Sequence, residues 1–406
     1  MSDQRPLRGI RVLDLSTVVA GPFSTMILSD LGADVIKVER IDGGDDSRGM
    51  GPHQHGWGAM FVPLNRGKRS IAINVTNPAG RDAVLALASS CDVYVENFRG
   101  GKAAQLGLDE TAVRAHAPTI VYASMSAFGS TGPDVLKPGY DGLIQGRTGI
   151  MSITGADSSA IARAGVSVID MSAGMWLAMG VLSALYERRQ SGRGQRVDAS
   201  LLQSGIMLMA YHLLYRQFAG ENPVPQGSGH SSFAPYGAFH TADGRIMIGV
   251  SNDRVFRRFC AAMERPDWAV DPRFVTNVLR AQNRPALDSE IQARFLTAGV
   301  AHWTAIFDKH DVPVSPIQTA EQVLADPQVA AVGQLQRVDL PGSDHASALI
   351  PRLPFSLSVN PPAIGGPPPR LGEHGRDILR DAGYTETQIE ELLSADQLAA
   401  AVPHDK

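Results

Sequence analysis

The chain has 406 residues, 44% of them hydrophobic and 19% charged, with a formal net charge of −4 at pH 7. A single core stops growing near ~250–300 residues, so this length predicts more than one compact unit. The faintly acidic balance, with a pI near 6.3, gives no general attraction to nucleic acid or to anionic lipid, and neither is expected as a partner. Cys91 and Cys260 follow neither a CxxC nor a Cys/His zinc spacing, so no metal is expected and a reducing, cytoplasmic compartment fits better than a disulfide framework. Met1 to Pro6 carry no apolar leader, and without a run of ~18 apolar residues further on, membrane spanning is not expected.

Taken in chain order, Gly9 to Ser16 reads as a buried strand, Ala20-Gly21-Pro22 turns it, Phe23 to Leu31 has helical spacing, and Asp34 to Glu39 is a second strand. That βαβ unit of about 30 residues opens a Rossmann-like parallel sheet. Ser70 to Val75, Asp92 to Glu96 and Thr119 to Met125 repeat the pattern, which predicts an α/β fold. Long helical stretches follow, from Ala173 to Arg189 and from Ser200 to Phe218, before composition shifts at Asn222-Pro223. Tyr236 to Val250, with Asp243-Gly244 at its turn, predicts a hairpin inside a smaller α+β unit. The expected organisation is a large Rossmann-like domain over 1–222, a small α+β domain over 223–316, and a C-terminal segment over 317–406 that returns to the large domain. Pro361-Pro362 and Pro367-Pro368-Pro369 belong to neither helix interior nor central strand, and suit an extended arm before a last helix at Thr385 to Leu398.

The first turn, Thr17 to Phe23, stands where a dinucleotide enzyme carries GxGxxG, yet it has one glycine followed by Pro22. Free N–H groups at that helix start still suit an anion, and an ordinary βα turn explains the stretch equally well. Basic residues cluster at the ends of the predicted strands: Lys37, Arg40, Arg48, Arg66, Lys68 and Arg69. Strand carboxyl ends form the crevice of an open α/β sheet, so convergent cations there suit a ligand with several phosphates, although solvated surface is the usual fate of Lys and Arg. Asn97 and Phe98 offer an amide and a ring that would hold an adenine; the plainer role is a turn with Phe98 in the core. Gly227-Ser228-Gly229-His230 is either a closing loop or a linker, and a lone histidine such as His230 is more often structural.

Asp170 lies where the apolar run Val166 to Ile169 meets the small residues Ser172-Ala173-Gly174. A partly desolvated carboxylate there would serve as nucleophile or proton-transfer group, while capping the following helix is the commoner role for such an Asp. Position alone favours the cap, since capping Asp residues far outnumber catalytic ones.

The ordered set Ala20-Gly21-Pro22, Leu31 to Glu39, Asn65 to Ile71, Val95 to Phe98, Gly139-Tyr140-Asp141, the Asp170 block and Ser191 to Gln195 before Val197-Asp198 resembles family III CoA-transferases of the CaiB/BaiF type. That family includes formyl-CoA:oxalate and succinyl-CoA:dicarboxylate transferases. The resemblance implies Asp170 as the nucleophile, which forms an aspartyl anhydride and then an aspartyl-CoA thioester. It implies CoA as a substrate with no cofactor, and an interlocked homodimer. Matching motif positions carry CoA contacts to Val19 and Ala20, to Arg40, to Ile73, Asn74, Val75 and Thr76, and to Asn97, Phe98 and Arg99. Lys137 and Tyr140 fall near the pantetheine end, and Gly227 to Ser232 resembles the family's lid. A Lys of some members is Thr76 here and an Arg is Gln105, which leaves Arg66, Lys68 and Arg69 as candidate substitutes. A dicarboxylate acceptor is implied, with Arg48 or Arg147 to meet its distal carboxylate. Two competing readings are an α-methylacyl-CoA racemase, which would need a His where Tyr140 stands, and a non-catalytic acyl-CoA binding protein.

Overall fold

The computed structural model describes residues 5–342 and 346–400. Six strands, β1 (Arg11–Asp14), β2 (Asp34–Glu39), β3 (Arg69–Ala72), β4 (Val93–Glu96), β5 (Val121–Ser126) and β6 (Arg196–Ser200), form one sheet in the order β3-β2-β1-β4-β5-β6. Every neighbouring pair in it is parallel. This is the doubly wound order, in which the chain works outward from β1 on one side and then from β4 on the other. The inner strands are near-continuous apolar runs because both faces are covered, and Val12, Leu13, Val35, Ile36, Val93 and Val95 are fully buried.

α1 (Ala20–Asp30) joins β1 to β2, α2 (Pro78–Ala88) joins β3 to β4, and α3 (Glu110–His116) precedes β5. α4 (Asp141–Arg147) and the long α5 (Val168–Ser191) lie between β5 and β6, followed by α6 (Leu201–Leu208) and α7 (Ala210–Ala219). β6 was hidden in the sequence: Arg196-Val197-Asp198 is short and polar, and it is a strand because β5 offers it a partner. α5 reaches a mean hydropathy of 1.6 over 18 residues, long and apolar enough to cross a membrane by composition, where the sequence reading expected no such span. Half of that window is buried inside the protein. Leu177, Ala178 and Val181 on this helix are in the core, and Met26 and Ile27 of α1 pack with Ala178, as does Leu31 just beyond that helix.

The chain divides into two compact units, one of Met1–Thr148, Gly165–Ala210 and Ala330–Lys406, the other of Gly149–Ala164 and Tyr211–Val329. Residues 149–164 and 211–222, assigned by sequence to the large domain, and 317–329, assigned to the C-terminal segment, thus fall in the smaller unit, where Gly227 N–H donates to Gly155 O at 2.9 Å. Pairing with a segment so far along the chain leaves no local signal.

In the second unit, β7 (Tyr236–His240) and β8 (Arg245–Gly249) form the expected antiparallel hairpin, and β9 (Val314–Pro316) pairs with β8. An aromatic core of Phe256, Phe259, Trp268, Phe295, Trp303 and Phe307 holds α8 (Asp253–Ala262), α9 (Arg284–Phe295) and α10 (Val300–Lys309). From Ala330 onward the C-terminal segment belongs to the first unit: His374 N–H donates to Ser70 O and Ala399 N–H to Ala72 O, both at 2.9 Å. Its proline-rich stretch lies along the same unit, with Ala363 N–H on Asp30 O and Gly67 N–H on Pro367 O.

Candidate active site

The crevice of a doubly wound sheet opens beyond the strand carboxyl ends, where β1 and β4 send their connections in opposite directions. A cavity of about 400 Å³ occupies that place. Its walls are Thr17 to Ala20 after β1, Asn97 to Gly100 after β4, Met125 to Ala127 at the end of β5, Lys137 to Tyr140, Asp170 and Leu201.

The two switch-point loops are tied together by one side chain. Asn97 Oδ1 accepts from Thr17 N–H at 2.9 Å, and its Nδ2 donates to Thr17 O at 2.8 Å. Next along, Val18 has φ +70°, an uncommon conformation for a β-branched residue, and its N–H donates to Asp45 Oδ1 at 3.1 Å. A Cβ at Gly21 would sit 2.2 Å from Ser16 Cβ, so only glycine lets α1 begin this close to the turn. Phe98 is half-buried against the core and also lines the cavity.

Asp170 is the third residue of α5, inside the helix, so it is not the cap that its position suggested. Ser167 precedes the helix without a side-chain capping bond. The cap comes from elsewhere: Asp141 Oδ2, in the first turn of α4, accepts from Ile169 N–H at 2.8 Å and Asp170 N–H at 3.1 Å. Burial first, and then the charge of Asp141, push the Asp170 carboxyl from its ordinary 3.8 up to about 7. Gly174 brings this helix against α1, since a Cβ there would lie 2.6 Å from Ala20 O. Close packing of the two helix starts thereby sets the carboxyl on the same cavity wall as the first turn.

Of the residues carried over from the sequence, Val19, Ala20, Asn97, Phe98, Arg99, Lys137, Tyr140 and Asp170 line this one cavity. Arg40 stands beside it, bonded to the lining Asp46 at 2.6 Å. Ile73, Asn74, Val75 and Thr76 are not on the lining; they follow edge strand β3, with Ile73 buried and Asn74 N–H donating to Gln397 O at 2.9 Å. Gly227, Ser228, Gly229 and His230 belong to the second unit. There Arg284 donates to the carbonyls of His230 and Phe233, and the His230 ring lies 4.6 Å from that of Phe233.

The basic cluster is corrected by its partners. Lys37 pairs with Asp45 at 2.8 Å and Lys68 with Asp14 at 3.0 Å, all four side chains fully buried. Arg66 is bound to Asp30, Arg69 to Asp34 and Asp381, and Arg48 clamps both oxygens of Glu39 under the Phe61 ring. These cations stabilise the sheet from within, and neither a phosphate nor a distal substrate carboxylate reaches Arg48, Lys68 or Arg66 without displacing a buried acid. Arg147 is exposed and shares Asp134 with Lys137. Arg99, which lines the cavity, donates to Leu136 O at 2.7 Å and has no acidic partner among the described residues. Asp45, which supports Val18, and Asp141, which caps α5, were missed; the adjacency of Asp141 to Tyr140 was the available signal.

The fold is that of a doubly wound α/β protein with a cavity at its switch point and one carboxylate of raised proton affinity in the wall. Residues 7–375 match the model of CoA-transferase family III. The chain is 36% identical to the succinyl-CoA:glutarate CoA-transferase of Mus musculus, covering 96% of this chain and 89% of that one. It is likewise 36% identical to the succinate–glutarate CoA-transferase of Agrobacterium fabrum, over 93% of this chain and 95% of the other. A crystal structure of a CaiB/BaiF family protein from Brucella suis superimposes with a TM-score of 0.85 at 34% identity, covering 93% of this chain and 99% of that chain. The chain belongs to CoA-transferase family III, and its class of activity is CoA transfer.

Proposed function

We propose that the protein moves CoA from a succinyl-CoA-type donor to a dicarboxylic acid through Asp170. The single observation that carries this reading is the Asp170 carboxyl, partly desolvated in the wall of the switch-point cavity. Asp170 attacks the thioester carbonyl, the carbon–sulfur bond breaks, and CoA leaves as thiolate from a mixed anhydride. The thiolate then attacks the aspartyl carbonyl, which releases the donor acid and leaves an aspartyl-CoA thioester. An acceptor carboxylate repeats the two steps in reverse and regenerates Asp170. Exclusion of water keeps the anhydride from hydrolysis, and none of these steps calls for a metal or a redox cofactor.

In this reading Val19, Ala20, Asn97, Phe98, Arg99, Lys137 and Tyr140 hold the CoA, with Arg40 at the rim. Arg99 is the cation best suited to a phosphate or a distal carboxylate, being exposed at the cavity and free of an acidic partner among the described residues. The contacts at Ile73 to Thr76 and the lid at Gly227 to His230 rest on family resemblance alone. The dicarboxylate preference is drawn from the relatives, which are glutarate CoA-transferases. A cytoplasmic homodimer completes the proposal: Cys91 and Cys260 are free thiols, and Met175, Trp176, Met179, Tyr186 and Met207 leave α5 and α6 with large exposed apolar side chains. A racemase is disfavoured because no histidine lines the cavity among the described residues, and Tyr140 stands in the matching place.

The test is transfer between succinyl-CoA and a panel of carboxylates, read by mass spectrometry of product and of intact protein. Glutarate is expected as a substrate, with a CoA adduct on the chain. Asp170→Ala is expected to abolish both while CoA binding persists; unchanged turnover would remove the mechanism, and exclusive use of monocarboxylates would remove the dicarboxylate preference.

A further inference from the structure

We propose that Asp141 is the positioning residue for the Asp170 carboxylate, holding the first turn of α5 from outside and standing a second negative charge beside it. The inference rests on Asp170 acting as the nucleophile.

The geometry is specific. Asp141 is buried in the first turn of α4, and its Oδ1 accepts from Gln145 of the same helix. Its Oδ2 accepts the Ile169 and Asp170 N–H groups at 2.8 and 3.1 Å, the second and third N–H groups of α5. A helix start normally offers those donors to its own capping side chain or to a nearby anion. Here they are taken, so Asp170 is held by its backbone in one orientation while its carboxylate is denied them. The neighbouring charge and the burial then act in the same direction, and the carboxyl is pushed up to about 7.

Such an arrangement favours attack. When Asp170 Oδ bonds to the thioester carbon and the carbon–sulfur bond breaks, the charge passes from Asp170 to the departing CoA sulfur. Repulsion from Asp141 is present in the ionised ground state and falls as the charge leaves, so it lowers the barrier instead of merely shifting binding. A more basic carboxylate is also the better nucleophile, provided that it is ionised at working pH.

Other charged groups near α5 are already engaged or lie across the cavity. α1 brings only Asp30, bound to Arg66; β6 brings Arg196 and Asp198, bound to each other; Arg147 of α4 is bound to Asp134. β5 carries only the buried Tyr122, and α6 carries no ionisable side chain. Asp46, Arg99, Lys137 and Tyr140 share the cavity lining, with Asp46 paired to Arg40 and Lys137 to Asp134.

The experiment measures kcat and KM from pH 5 to 9 for the full chain with succinyl-CoA and glutarate. Asp141→Asn keeps an oxygen acceptor and removes the charge; its acid limb is expected to move to lower pH by about one unit, with KM for succinyl-CoA unchanged. Asp141→Ala removes the cap as well as the charge and is expected to show the same shift of the acid limb with a plateau kcat roughly 100-fold lower. A purely structural residue would leave the pH profile in place, so an Asp141→Asn profile that superimposes on the parent overturns the proposal, even if Asp141→Ala fails to fold. Asp170→Ala separates the two readings. Loss of the CoA adduct in that variant keeps the nucleophile and leaves Asp141 to be judged on its own profile; an undiminished adduct removes the nucleophile and the positioning role with it.

Discussion

Two groups of charged residues lie at the carboxyl ends of the same sheet, and they do opposite work. Lys37 and Lys68 are buried against Asp45 and Asp14, and the half-buried Arg48 clamps the buried Glu39. Arg99, Lys137 and Asp170 face an open cavity only one loop away. In the first group each charge meets its opposite: despite the cost of burial, Lys68 and Lys37 hold Asp14 down at about 2. In the second, Asp170 meets burial and a like charge, and is pushed the other way. The contrast teaches that a carboxylate in this fold becomes structural or reactive according to the sign of its neighbour, since desolvation acts on both.

That comparison is broken most strongly at Lys68. Lys68→Met leaves Asp14 buried with one cation fewer, and is expected to cost about 3–5 kcal/mol of stability in urea denaturation, with the same KM for succinyl-CoA in whatever fraction stays folded. A much smaller loss, with weakened CoA binding instead, would return Lys68 to the phosphate site.

Arg99→Ala is the converse. Its stability is expected to stay within about 0.5 kcal/mol of the parent, because an exposed side chain with one carbonyl contact is removed. KM for succinyl-CoA is expected to rise by roughly 10-fold or more, with kcat little changed, as for loss of a charged hydrogen bond to substrate. An unaltered KM would exclude Arg99 from the ligand.

The smallest effect sharpens the second half of the comparison. The folded-state pKa of Asp170 is raised from 3.8 to about 7, so the folded chain holds this proton more tightly than the unfolded one. The stability so contributed is fully present below the ordinary carboxyl pKa and is lost as pH rises through about 7. Asp170→Asn is therefore expected to be more stable than the parent at pH 8, by about 1–2 kcal/mol, with the difference vanishing near pH 4. Thermal unfolding at the two pH values measures it, and equal melting temperatures at pH 8 would show that the site carries no such strain.

Much of the first unit was legible because each strand is a short apolar run followed by turn residues, and Asp34 to Glu39 was found to the residue. The Tyr236–His240 and Arg245–Gly249 hairpin was equally plain from Asp243-Gly244. β6 was not, since Arg196 to Ser200 becomes a strand through pairing with β5 and not through its own pattern. The basic residues were found but their role was misjudged: Asp14 and Lys37 face each other in register on adjacent strands, and a run of sequence shows neither the register nor the burial. Among the site residues, the loops after β1 and β4 were readable because the fold class dictates where a ligand lies.

The sequence by itself determined the alternating α/β order, the turns at Val19-Ala20 and Asn97-Phe98, and the family motif that contains Asp170, because these are carried by local pattern and ordered spacing. Only the tertiary structure decided which charges are free and which are paired, and that the cap of α5 is Asp141 and not Asp170. The physical reason is that ionisation depends on burial and on the nearest charge, and both are supplied by residues distant in the chain.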